Sequence, residues 1–168
     1  MIYGDKGQTY KARKLRRMWR EARGRNAVPP TGWFSDTLKY PVHDCTDVTG
    51  VSLMGHSYEM AQGSGCTLHI QAKNVPFHPE AVEMAEMGFI PAGAYRNREY
   101  ASKNVIVGEG ITRAMLEIFY DPHTSGGLLI SAPEKDGLRM LEEIRNTVPD
   151  AALIGYVAEK QAADITVE

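Results

Sequence analysis

The stretch Val42-His43-Asp44-Cys45-Thr46-Asp47-Val48-Thr49-Gly50-Val51, read on through Gln71, decides the fold. Val42 to Asp47 reads as extended chain and leads into Thr49-Gly50. From there Val51, Met54, Tyr58 and Ala61 form a helical stripe, which Gly63-Ser64-Gly65 ends. Thr67-Leu68-His69-Ile70-Gln71 then alternates as a strand does. Strand, helix and strand in so short a span point to a layered α and β unit.

The same alternation continues towards the C-terminus. Val75-Pro76 and His78-Pro79 mark a turn, and Pro79 suits the first position of a helix running to Met87 and stopping at Gly88. Residues 90–104, with Pro91, Gly93 and the polar Tyr95-Arg96-Asn97-Arg98, read as irregular. A short helix is expected over 111–118, after Gly108 and Gly110. Asp121-Pro122 to Gly127 reads as a turn, and Leu128 to Ala132 as a buried strand. A helix over 134–147 carries Leu138, Leu141, Ile144 and Val148 on one side. Leu153 to Ala158 and Ile165 to Val167 read as closing strands. The methionines 60, 84, 87, 115 and 140, with Cys66 and His69, read as packing residues. The expected class is α/β (α+β), a mixed β-sheet flanked by helices.

The chain has 168 residues, 43% hydrophobic and 24% charged, which is ordinary composition for one domain. Two cysteines, Cys45 and Cys66, exclude a disulfide framework and a four-cysteine zinc site. No apolar run reaches the length of a membrane span, and the basic N-terminus has no apolar signal core. A cytoplasmic location is the expectation. The net charge of −2 hides an asymmetry: residues 1–25 hold nine Lys/Arg against Asp5 and Glu21, a net of +7, leaving −9 for residues 26–168. Within the basic part, Leu15, Met18, Trp19 and Ala22 give a helix over 9–23. Gly24, Pro29, Pro30 and Gly32 make 24–39 a linker. The division is therefore a basic N-terminal helical extension, 1–39, and a body, 40–168. The helix has three readings, ranked with docking on the acidic body first and nucleic-acid binding second, ahead of contact with an anionic membrane.

There is no Walker-type phosphate loop, and Gly63-Ser64-Gly65 and Gly108-Glu109-Gly110 lack the third glycine of a dinucleotide fingerprint. His43, Cys45 and Asp47 share one side of an extended segment and are all metal-ligand types, but burial of Cys45 is the better reading for that pair. Asp47 stands at a strand-to-helix junction, where a carboxylate either caps the helix or holds Mg²⁺ with a nucleotide phosphate. On chemistry alone the cap is favoured. Thr124-Ser125-Gly126-Gly127 reads as a tight turn or as an anion nest, the turn favoured. Arg96 and Arg98 suit phosphate or a solvated loop equally. His56 reads as a satisfied structural histidine.

These residues also resemble a known family. Cys45-Thr46-Asp47-Val48-Thr49-Gly50, Leu53-Met54-Gly55-His56 and Glu59-Met60-Ala61 are similar to the segment that opens the C-terminal domain of selenophosphate synthetase (selenide, water dikinase), where the pattern runs close to CTDVTGFGLLGH. Val75-Pro76, then Ile90 to Asn97, follow in the family's order. Asp121 to Leu129 resembles its DPQTSGGLL. The resemblance covers about residues 40–168 and places the chain in the superfamily of aminoimidazole ribonucleotide synthetase.

It implies a mixed sheet flanked by helices. For the whole enzyme it implies conversion of selenide, ATP and water to selenophosphate, AMP and phosphate with Mg²⁺. By the match, Asp47 contributes to the metal–nucleotide site, and Thr124, Ser125, Gly126 and Gly127 form a cofactor-contacting turn. The family's N-terminal half, with its catalytic cysteine or selenocysteine, lysine and further metal-binding aspartates, has no counterpart in residues 1–39. Val51-Ser52-Leu53-Met54 replaces FGLL, and His123 replaces the Gln of DPQTSGG. The expectation is a fragment, split-gene product or truncated gene, inactive alone and partnered by an ATP-binding half, by a second copy, or by both. The alternative is a non-catalytic binding module that uses the basic helix for nucleic acid, membrane or protein contact.

Overall fold

The computed structural model describes residues 2–3 and 39–168. The helix expected over 9–23, and the linker over 24–39 apart from Lys39, lie outside the described residues. The strands are β1 (Ile2–Tyr3), β2 (Asp44–Asp47), β3 (Cys66–Ile70), β4 (Val105–Val107), β5 (Leu128–Ala132), β6 (Gly155–Glu159) and β7 (Ile165–Val167). The α-helices are α1 (Ser52–Ser64), α2 (Ala81–Glu86), α3 (Ala92–Ala101), α4 (Arg113–Tyr120) and α5 (Glu134–Arg145).

All seven strands join one mixed sheet in the order β2-β5-β1-β6-β3-β7-β4. β2 runs antiparallel to β5, with Asp47 opposite Leu128. β3 runs antiparallel to β6 and parallel to β7. β1 fills the slot between β5 and β6, parallel to both, with Ile2 opposite Ser131 on one side and Gly155 on the other. Nothing in the local sequence of Ile2-Tyr3 announces a strand, because two residues carry no periodicity.

Consecutive residues of a strand face opposite sides of a sheet. On β5, Leu129 joins the larger apolar cluster with Met54, Leu68, Ala94, Phe119 and Ile165, while Ile130 joins a second with Cys45, Met140, Leu141 and Ile144. Helices α1, α3 and α4 thus pack on one face and α5 on the other. Met54, Leu68, Ile70 and Phe119 are almost wholly buried. Each such side chain contributes about 1.5–3 kcal/mol relative to exposure.

The expected helix after Thr49-Gly50 and its glycine stop are both present: Gly65 takes a left-handed φ of 62°, and its N–H donates to the carbonyls of Ala61 and Gln62. The short helix starts where Thr112 Oγ1 accepts from the Met115 N–H at 3.2 Å. Residues 90–104 differ from expectation, since most of them form α3. Pro91 stands just ahead of the first turn, in extended conformation, where a proline does not break a helix. Gly93 serves contact: a Cβ there would come within 2.7 Å of Pro122 Cγ.

The apolar side of α5 is also rotated from expectation. Leu138 is 43% exposed, and Gly137, Met140, Leu141 and Ile144 face the core. Met60 and Met140 are buried and Met115 packs against the core, whereas Met84 and Met87 are exposed. The expected closing strand at 153–158 is β6, which lies at the centre of the sheet.

Candidate functional site

Asp47 is the last residue of β2 and is exposed. The chain then turns through Val48-Thr49-Gly50 into α1, and the loop after α4 closes on that turn. The Val48 N–H donates to the Gly127 carbonyl at 2.9 Å, and the Gly126 N–H donates to the Val48 carbonyl at 2.9 Å. The His123 N–H donates to the Thr49 carbonyl at 3.2 Å. Thr124 to Gly127 is thereby brought beside Asp47, although the two lie far apart in sequence.

The contact explains one glycine. A Cβ on Gly126 would sit 2.9 Å from both Val48 Cγ1 and the Val48 carbonyl oxygen, closer than real side chains approach. Gly127 has φ +85°, the left-handed conformation that glycine adopts without strain. An anion nest needs successive free N–H groups. The Gly126 N–H is already bonded to Val48 and is not free for such a nest, and Thr124 and Ser125 are exposed.

Three further residues shape the site. Asn97, on α3 and buried, donates through Nδ2 to the Gly50 and Tyr120 carbonyls, each at 3.0 Å. It ties the Asp47 turn to the end of α4. His56, on α1, places Nε2 3.1 Å from Thr49 Oγ1 and so braces the same turn; its Nδ1, 3.4 Å from Glu59 Oε2, is buried without a hydrogen bond, so the histidine expected to be satisfied is satisfied at one ring nitrogen only. Ser52 begins α1 at φ 72°, the left-handed region that L side chains avoid, and is wholly buried. Such strain concentrates where a backbone is held in a required shape.

Asp121 opens the loop that closes on Thr49. Its Oδ1 is buried without a hydrogen-bond partner. Burial pushes its carboxyl above the usual range, against the opposing pull of His123. Sequence reasoning missed Ser52, Asn97 and Asp121 as shapers of the site. The serine standing in the family's glycine position was the signal for Ser52; Asn97, in a polar stretch read as irregular, carried none.

The other candidates lie apart from this arrangement. Cys45 is buried in the second cluster, and its thiol is pushed up to about 12, first by burial and then by Asp44 and Asp47. With no metal beside it, it therefore stays a thiol at neutral pH, in keeping with a buried packing residue. His43 Nε2 is buried without a partner. Arg98 is engaged by buried Glu117, and Arg96 is exposed on α3. Among the described residues no group of three or more His, Cys, Asp or Glu is placed to hold a metal ion. Asp47, exposed at the end of β2, is by itself a single hard oxygen donor of the type Mg²⁺ takes.

The model of the family described as AIR synthase related protein, C-terminal domain, matches residues 32–168. The chain is 43% identical over 132 residues to a selenide, water dikinase of Clostridium botulinum (strain Eklund 17B / Type B), covering 79% of this chain and 38% of that protein. It is 45% identical over 130 residues to a selenide, water dikinase of Clostridioides difficile (strain 630), covering 77% of this chain and 37% of that protein. The chain thus spans well under half the length of the curated relatives it matches. Among solved structures it is similar to thiamine monophosphate kinase from Aquifex aeolicus, with a TM-score of 0.48 and 17% identity, over 96% of this chain and 42% of that one. Among the described residues no helix is long and apolar enough to cross a membrane. The match to residues 32–168, on a mixed sheet flanked by helices, shows that the chain belongs to the family of AIR synthase related proteins, of which it carries the C-terminal domain.

Proposed function

We propose that residues 40–168 act as the C-terminal domain of a selenide, water dikinase, with residues 1–39 as an extension to that body. In this role they complete a site whose ATP-binding half lies outside the described residues. The observation that carries the reading is the clamp that brings the Asp47 turn and the Thr124–Gly127 turn together, built from the motifs by which the chain resembles that family. Mg²⁺, when bound, neutralises charge on the transferring phosphates. The chain's own part is to hold one carboxylate, Asp47, exposed at a fixed place. Asn97, His56 and the Val48 backbone bonds to Gly126 and Gly127 hold it there, and Thr124 and Ser125 are the neighbouring hydroxyls for the nucleotide or metal shell.

A metal with one carboxylate binds a nucleotide triphosphate poorly. The chain alone is therefore expected to be inactive, with a cytoplasmic role in selenium metabolism through its partner half. The test combines the full chain with the portion of the Clostridium botulinum relative that it does not match, and follows AMP formation from ATP with and without selenide. Selenide-dependent AMP from the mixture alone supports the reading. AMP from the chain by itself overturns the need for a second half, and none from a folded, associated mixture overturns the reading.

A further inference from the structure

The sheet ends at β4, and among the described residues no strand pairs with its outer side. β4 runs parallel to β7, with Ile106 opposite Thr166 and Val107 opposite Val167. The Gly108 N–H donates to the Val167 carbonyl at 2.7 Å, so Gly108 turns its backbone groups towards β7. That direction alternates along a strand. Ile106 therefore also bonds towards β7, while the N–H and C=O of Val105 and Val107 face outward.

A row of outward groups is a template for another strand, and native edges are commonly blunted by a charge or a proline. β4 has neither: it reads Val-Ile-Val, with Ile106 50% and Val107 42% exposed. The opposite edge, β2, carries Asp44 and Asp47, so two copies of that edge would bring like charges together.

The flanks of β4 specify the occupant. Lys103 and Glu109 stand at equal distance on either side of Ile106, and both are exposed. When two copies of β4 pair antiparallel about a two-fold axis at Ile106, the two Ile106 residues face each other. Val105 then faces Val107 of the second copy, and Lys103 faces Glu109. Each Val105–Val107 pair exchanges both backbone bonds, so every outward group of β4 is satisfied. The Ile106 pair is of the other kind, with Cα atoms about 4.5 Å apart, and covers two exposed apolar side chains. A slip of two residues either way sets Lys103 against Val107 or Glu109 against Val105.

We propose that β4 is a docking edge for a second copy of this chain, paired antiparallel about Ile106 with Lys103 against Glu109. So short a strand buries little area, which puts the dimer in the weak, transient class. The proposal does not rest on the proposed function, because β4 and the Asp47 strand lie at opposite edges of the sheet.

The test is sedimentation equilibrium of the full chain, from low micromolar to near-millimolar concentration. The chain is expected to pass reversibly from monomer to dimer and to form nothing larger, since a two-fold contact closes on itself. I106K, at an exposed position, sets two lysines against each other at the axis and should abolish the dimer, with thermal melting as the check on the fold. K103E and E109K each set like charges opposite and should weaken the dimer by about tenfold. K103E/E109K restores opposite charges in this register alone and should return the dissociation constant close to its original value. A chain that stays monomeric, a dimer that I106K leaves intact, or a double variant no tighter than the single ones would overturn the proposal.

Discussion

Ser52 offers a sharp test of how the site is built. Its φ is 72°, it is wholly buried, and its Oγ accepts from the Gly55 N–H at 3.3 Å. Replacing it by Ala or by Gly removes the same hydroxyl, so the lost hydrogen bond, about 1 kcal/mol, is common to both variants. What separates them is the backbone. A residue with a Cβ in the left-handed region costs roughly 1–2 kcal/mol, and glycine avoids that cost while losing about 0.5–1 kcal/mol of chain entropy. S52G should therefore be more stable than S52A, by about 1 kcal/mol. At an ordinary helical position the order is reversed, with Ala ahead of Gly by about 1 kcal/mol. Urea unfolding of the three proteins, fitted with a common slope, measures the difference as a shift in midpoint. S52A as stable as S52G, or more so, would refute the left-handed conformation and with it the shape of the turn that presents Asp47.

Other predictions follow from the same contacts. N97A deletes both bonds of the Asn97 side chain and leaves the buried Tyr120 carbonyl unpaired, so unfolding should become easier by about 2–4 kcal/mol. N97D should cost more at neutral pH, because its carboxylate faces two carbonyl oxygens, and should regain stability as pH falls; a loss under 0.5 kcal/mol for N97A would contradict the role given to Asn97. G126A should lose about 1–3 kcal/mol, because Val48 backbone cannot move away, whereas G50A, with nothing within 4 Å of the new Cβ, should lose less; equal losses in thermal melts would argue against the clamp. The Cys45 thiol titrates in the folded chain at about 12 against an ordinary value of 9.0. A raised value adds stability that is complete below 9.0 and is lost as pH climbs towards 12. C45A should flatten that alkaline decline, and native Cys45 should resist alkylation at pH 8 until the chain unfolds.

Much of the fold is legible where the code is local. α1, β3 and β5 follow from helical spacing, alternation and glycine punctuation. What escapes is set by distant partners. α3 buries Ala94, Asn97 and Ala101, small or polar residues that leave no hydrophobic stripe, and its Gly93 answers to Pro122. Leu138 and Met140 compete for the core face of α5, and only the packing partners of that helix decide for Met140. At the site, Asp47 and the Thr124–Gly127 turn can be singled out from sequence, but not the reason for Gly126, which is the Val48 backbone. Nor is the part of Asn97 visible, since both carbonyls it satisfies belong to other segments.

The most direct measurement is a graft. The segment of the Clostridium botulinum relative that this chain matches is replaced by the full chain, which keeps β1 between β5 and β6, and selenide-dependent AMP formation is compared between the graft and its D47N form. The account predicts a folded graft that makes AMP only when selenide is present, and loss of that activity in D47N while the fold is kept. A folded graft without activity, or one whose activity D47N leaves unchanged, would contradict it.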